Sequence, residues 1–209
     1  GDSYMDHTGG MVMAIAILLA LLHRERTGAG QWVDLACTEA GLALHGPAIL
    51  DWTVNGRPMR RPGSPHSNRS ESPPMAPHGI YPARGEDEWV AIACRSDAEF
   101  AALGRVVAEA WAEEARFASL AGRLAAQDEL DALVAAWTRE REKGAVAAAL
   151  QAAGLPAAPV ARPQERIDAD PSTAEWGLWP TVRHAKMGAV RVDGLPVHLS
   201  RTDWEMRRG

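Results

Sequence analysis

Cysteine is scarce in this chain. Its two cysteines, Cys37 and Cys94, lie far apart with no CxxC and no metal-ligand spacing. That excludes a disulfide scaffold and points to a reducing, cytoplasmic setting. A basic excess is also missing. Net charge is -5, and the pairs Arg60-Arg61 and Arg207-Arg208 are too few for a nucleic-acid surface. Seven histidines are scattered with no two at ligand spacing on one element, so no metal site is expected. There is no GxGxxG, P-loop, GxSxG or HExxH. Gly28-Ala29-Gly30 precedes no helix and reads as a turn rather than a phosphate cradle. The apolar run Met11 to Leu22 falls short of the ~20 residues that cross a bilayer. It has neither the basic n-region nor the cleavage site of a signal peptide. A buried core helix and no membrane partner are expected.

What is present suits a globular protein. The chain has 209 residues, 46% of them hydrophobic and 23% charged. Its order is organised around the opening stretch. Asp2, Asp6, Thr8, Gly9 and Gly10 empty into the apolar run, which predicts a helix from about Gly10 to Arg26. Asp6 or Thr8 then sits at the helix N-terminus, where unpaired N–H groups and the helix dipole favour negative charge. Either residue fits an ordinary N-cap. A carboxylate there also suits a nucleophile.

Further along, Gln31 to Cys37 reads as a strand and Thr38 to Thr53 as a second helix capped by Thr38. Residues Asn55 to Pro77 turn rich in Pro, Ser, Arg and Gly, a composition that cannot build a core. Beyond it, His78 to Ala83 and Trp89 to Cys94 form a hairpin about a polar turn at Arg84 to Glu88. Ser96 caps a helix to about Ala108. Leu130, Leu133, Val134 and Trp137 mark one face of another, with Glu129 and Asp131 on its solvated face. Lys143 to Ala153 is a third, ended by Gly154. Leu155 to Val160 is an extended edge segment. Thr181 to His184, Ala189 to Val192 and Val197 to Ser200 are short extended pieces. His78, beside the long loop, is the histidine that stands out.

The order Asp-x-x-Gly-Gly, apolar helix, Leu22-His23-Arg24-Glu25-Arg26-Thr27-Gly28-Ala29-Gly30-Gln31, then Val33-Asp34-Leu35, resembles the class III CoA-transferases of the CaiB/BaiF type. The likeness continues through Ala76 to Pro82, Trp89 to Ala93, Gly154 to Val160 and Gly194 to Ser200. It implies an α/β fold: a partial Rossmann-like large domain plus a small α/β domain, of an interlocked-dimer type. Residues 1–56 would be a remnant of the large domain with the catalytic aspartate. Residues 57–75 would be a linker, 76–162 the small domain, and 163–209 a segment returning to the large one.

The resemblance makes Asp6 the catalytic aspartate, with Asp2 a loop acid. It implies CoA transfer from an acyl-CoA to a carboxylic acid through an aspartyl anhydride and an enzyme–CoA thioester. Coenzyme A would be a substrate, with no tightly bound cofactor. Gly9 and Gly10 would let backbone N–H groups approach an oxyanion. Cys37 would line the CoA site or serve only in packing, and His78 is a substrate candidate. The sister activity, α-methylacyl-CoA racemisation, implies a glutamate where this chain has Ser96 after Arg95, which favours transfer. Where the formyl-specific relatives carry a glycine-rich substrate loop, this chain has Ser64 to Glu71, so the resemblance does not imply the formyl/oxalate pair. Relatives are about twice as long. The chain lacks an initiator methionine and reads as part of a longer protein, homodimeric when intact, or as an inactive fragment needing a partner chain.

Overall fold

The structure, a computed structural model, describes residues 4–58, 68–71, 73–202, 204 and 206, residue 71 by its backbone alone. Asp2, residues 64–67 of the Ser64–Glu71 loop and the arginines at 60–61 and 207–208 lie outside the described residues. The chain parts into two compact units, 1–67 and 68–209.

The first unit is helical. Helix α1 spans Tyr4–Thr27, beginning two turns before the start read from sequence. Gly9 and Gly10 looked like a pre-helical turn but lie inside it. At Gly9 the missing Cβ has a packing reason, since one would sit 2.5 Å from Cys37 Sγ. Arg24 and Arg26 complement the negative helix end, and Gly28 takes a left-handed φ of 75° behind it. The helix is nearly all exposed, with Gly9 its one buried residue. At 24 residues it is long and apolar enough to cross a membrane by length and composition. The apolar run Met11 to Leu22 is only its central part. A buried core helix satisfies the same criterion.

The strand expected at Gln31 to Cys37 is absent. Residues 29–36 are irregular and pair with no strand among the described residues. A strand needs a neighbour for its backbone groups. The helix expected from Thr38 to Thr53 is two helices, α2 (Cys37–Ala43) and α3 (Gly46–Asn55). Pro47 has no N–H for an intrahelical bond and stands where α3 starts. Ala36, not Thr38, occupies the α2 N-cap. Gly56, with φ 66°, closes α3.

The second unit opens with the short strands β1 (Ser70–Glu71) and β2 (Pro74–Met75). Its core is a three-stranded antiparallel sheet in the order β3 (His78–Pro82), β4 (Trp89–Ala93), β5 (Ala157–Pro159). Register is set by His78↔Ala93, Ile80↔Ala91 and Ala91↔Ala158. Prolines 156 and 159 confine β5 to the edge, as expected. Val90 and Ile92 point into the core with Cys94 beyond them, and Ala91 and Ala93 face the other way. Helices α4 (Asp97–Val107), α6 (Gln127–Arg139) and α7 (Lys143–Ala152) contribute Phe100, Leu103, Leu130, Val134, Trp137, Val146 and Leu150 to one apolar cluster, and α5 (Leu120–Ala125) packs the partly buried Leu120 and Leu124 against it. Ser96 Oγ accepts from the Glu99 N–H, the cap its position predicts. Helices α8 (Pro163–Asp168) and α9 (Pro171–Glu175) and the hairpin of β6 (Thr181–His184) and β7 (Gly188–Arg191) complete the unit. Val197 to Ser200, expected to be extended, forms no strand.

Asp131 was expected on a solvated face and is instead a tertiary acceptor. Tyr81 Oη donates to its Oδ1 at 2.6 Å, and Arg69 Nε donates to Oδ2 at 2.8 Å. Glu129 is indeed exposed, paired with Arg116. Burial, and after it the Asp131 charge, push the Tyr81 phenol far above its ordinary value. An acid raised in the folded state binds its proton more tightly there than in the unfolded chain. The stability this contributes is complete below the unfolded value of about 10 and is lost as pH rises beyond it. Urea midpoints measured from pH 8 to 11 should fall steeply above pH 10, and less steeply in Tyr81→Phe. That variant should cost about 1 kcal/mol at neutral pH. Parallel pH curves for the two proteins would refute the assignment.

Candidate active site

Asp6 lies in the first turn of α1 and is exposed. The N–H groups of a helix's first turn have no intrahelical acceptor, and the dipole is positive there. The sequence places an acid at this end, and the structure leaves its carboxylate accessible. Thr8 is half-buried two residues further in.

Gly9 and Gly10 lie one turn beyond Asp6. Inside an α-helix each donates its N–H to the carbonyl four residues back, so these amides serve the helix rather than a ligand. The two glycines differ in surroundings. Gly9 is packed against Cys37 at the start of α2, whereas a Cβ on Gly10 would meet nothing within 4 Å. The structure thus brings Gly9 and Cys37 together, one turn from Asp6.

Cys37 is exposed and Cys94 is buried. Burial chiefly, then the Glu99 charge, push the Cys94 thiol up to about 12. An aromatic disulfide reagent at pH 8 should therefore modify one thiol in the folded chain and two in guanidinium. Equal rates at both in the folded state would contradict the burial.

His78 belongs to the second unit, at the start of β3. Its Nδ1 lies at hydrogen-bond distance from the Asn68 carbonyl. A carbonyl only accepts, so Nδ1 carries the proton and Nε2 the lone pair of the neutral ring. His78 lines a groove of about 490 Å³ on the open face of the sheet, with Asn68, Ile80, Ala91, Ala93 and Ala158. Sequence reasoning missed this groove. The alternation of β4 shows that Ala91 and Ala93 share a face, but only strand pairing sets them beside Ile80 and Ala158.

A larger depression of about 840 Å³ on the same unit is lined by charges that satisfy one another. Lys143 bridges Glu88 at 2.7 Å and Glu165 at 2.8 Å, and Arg162 reaches Glu88 at 2.9 Å. Among the described residues no group of three His, Cys, Asp or Glu side chains could hold a metal ion.

Comparison with known proteins bears on this arrangement. The model of CoA-transferase family III matches residues 1–209. A Mycobacterium tuberculosis protein named "Probable CoA-transferase" is 34% identical over 182 residues, covering 87% of this chain and 22% of that protein. Succinyl-CoA--D-citramalate CoA-transferase of Chloroflexus aurantiacus is 29% identical over 209 residues, covering 98% of this chain and 50% of that one. Among solved structures, a CaiB/BaiF family protein from Brucella suis matches with a TM-score of 0.82 at 26% identity, over 97% of this chain and 50% of that chain. The chain thus spans half the length of these last two proteins and a smaller share of the first. By the whole-length match of its sequence, and with an α/β fold shared with a CaiB/BaiF protein, the chain belongs to CoA-transferase family III.

Proposed function

We propose that this chain carries the nucleophilic aspartate of a CoA-transferase and that Asp6 is that residue. The observation that carries the reading is the exposed Asp6 carboxylate in the first turn of an apolar helix, in a chain matched by the family throughout. An Asp6 oxygen attacks the thioester carbonyl of an acyl-CoA. The C–S bond breaks, CoA leaves as thiolate, and a mixed aspartyl anhydride remains. The thiolate then attacks the aspartyl carbonyl, releasing the first acid and leaving CoA in thioester linkage to Asp6. An incoming carboxylate attacks that thioester, regenerating anhydride and thiolate. Attack of the thiolate on the new acyl carbonyl frees Asp6 and yields the new acyl-CoA.

The bare surface at Gly10 and the exposed Cys37 thiol are the contacts we assign to CoA, which is a substrate and not a resident cofactor. The active form we infer is a homodimer of the longest natural polypeptide containing this chain, working in the cytoplasm, where two unpaired cysteines persist.

Racemisation at an α-carbon is the rival chemistry, and it needs two groups that exchange acid and base roles. At the end of β4 the local groups are already engaged. Ser96 caps α4, and Arg95 donates to Glu99 through its backbone N–H and its guanidinium. Those bonds, its charged guanidinium partner foremost, hold the Glu99 carboxyl below its usual range. This favours transfer.

The test uses the longest natural polypeptide containing the chain. After incubation with an acyl-CoA and a hydroxylamine quench, mass spectrometry should find a hydroxamate on the peptide holding Asp6. An unmodified peptide, with solvent deuterium entering the substrate α-position, would hand the case to racemisation.

A further inference from the structure

The apolar cluster of the second unit takes no residue beyond Ala157, and α8 buries no side chain. Burial in that core does not fasten α8 to the unit. Charge does. Lys143, the first residue of α7, has a side chain only 13% exposed at the edge of the 840 Å³ depression. Its ammonium reaches Glu88 at 2.7 Å, Glu165 at 2.8 Å and the Val160 carbonyl at 3.1 Å. Arg162 Nη2 reaches Glu88 at 2.9 Å and donates to the Glu86 carbonyl at 2.6 Å. Among the described residues, the hydrogen bonds and ion pairs linking 161–206 to 68–160 converge on Arg162 and Glu165. A lysine at the start of a helix faces the positive end of the dipole, so α7 gains nothing from it there. Its place is explained by the two acids it joins, one in the β3–β4 turn and one on α8.

Past this cluster the chain is bonded to itself. Thr173 Oγ1 donates to the Arg166 carbonyl at 2.6 Å, and the Gly194 N–H to the Leu178 carbonyl at 2.8 Å. Arg191 pairs with Asp168 at 2.6 Å, which ties β7 to α8. Thr173 and Val182 are buried. Glu165 also accepts from the Arg162 N–H at 2.7 Å, so α8 keeps an N-terminal bond without Lys143.

We propose that Lys143, Glu88, Glu165 and Arg162 form a clasp, and that α8, α9 and the β6–β7 hairpin are a strap that opens as one body. The sheet and its helices stay folded when it does. This is independent of the acyl-transfer reading, and its test is amide hydrogen exchange on the full 209-residue chain. Lys143→Met removes the charge and keeps an apolar stem. Exchange across α8, α9, β6 and β7 should rise about tenfold or more, as expected on losing hydrogen bonds to a charged group, with β3, β4 and α6 unchanged. Lys143→Glu should open the strap as well, and adding Glu165→Lys should close it again. Arg84→Gln is the control. Arg84 pairs with Glu142 at 2.9 Å in the same depression and bonds to no residue of the strap, so exchange should stay as it was. A rise spread equally over the whole unit, no rise at all, or an equal rise in Arg84→Gln would each overturn the clasp.

Discussion

Asp6→Ala should abolish acyl transfer while leaving the fold almost untouched. The loss expected in kcat is at least about 10³-fold, because deleting a covalent nucleophile removes the pathway itself rather than one of its aids. The structural cost is small because the side chain is exposed. Removing a first-turn acid forfeits only its favourable interaction with the helix dipole, about 0.3–1 kcal/mol. A melting curve that hardly moves, beside an activity that vanishes, is therefore the signature. Thr8→Ala supplies the contrast: a neutral, half-buried hydroxyl two residues away cannot form an anhydride, so transfer should persist. If Asp6→Ala kept more than a tenth of the activity, the carboxylate would be a helix-terminus acid and no more.

Much of the second unit was legible because its signals are local. Leu130, Val134 and Trp137 repeat at helical spacing and are buried together, and Ser96 with Glu99 three residues on marked the α4 start. The hairpin between His78 and Cys94 followed from two apolar runs about a polar turn. The failures came where the deciding partner is distant in sequence. Gly9 reads as part of a turn before the helix until Cys37 is set against it, and Gln31 to Cys37 reads as a strand although among the described residues no neighbour pairs with it. Asp131 has the address of a surface acid, yet Tyr81 and Arg69, each at least 50 residues away, claim its oxygens. The same holds for function. Asp6, the nucleophile proposed above, is singled out by the order of its neighbours along the chain. The groove around His78 could not, since its walls meet only through strand pairing.

Arg123→Met should be the most damaging single change in the second unit. The guanidinium is fully buried and spends its donors on three different acceptors. Nε reaches the Ala76 carbonyl at 2.7 Å, Nη1 the Phe117 carbonyl at 2.9 Å and Nη2 the Asp97 carboxylate at 2.8 Å, while its plane lies 4.7 Å from the Phe100 ring centroid. Replacing a whole buried ion pair by apolar groups is often harmless, but the situation here is different. The Asp97 side chain is 58% exposed and stays hydrated without its partner. The two carbonyls belong to the backbone and cannot be substituted away, so methionine would leave both without their donor. At about 1–3 kcal/mol for each stranded group, the loss is about 2–6 kcal/mol, a large part of the 5–15 kcal/mol that holds a domain together. Arg123→Lys should rescue little, because one ammonium cannot span the acceptors that a planar fork reaches. Asp97→Asn should cost less than Arg123→Met, because the amide oxygen can still accept from Nη2 and both carbonyls keep their donor. Urea denaturation of the three variants separates the contributions. A mild Arg123→Met would mean that stacking on Phe100, not the carbonyl bonds, holds the arginine in place. The consequence reaches the groove as well. Ala76 lies two residues before His78, so the arginine that holds its carbonyl also fixes where β3 begins.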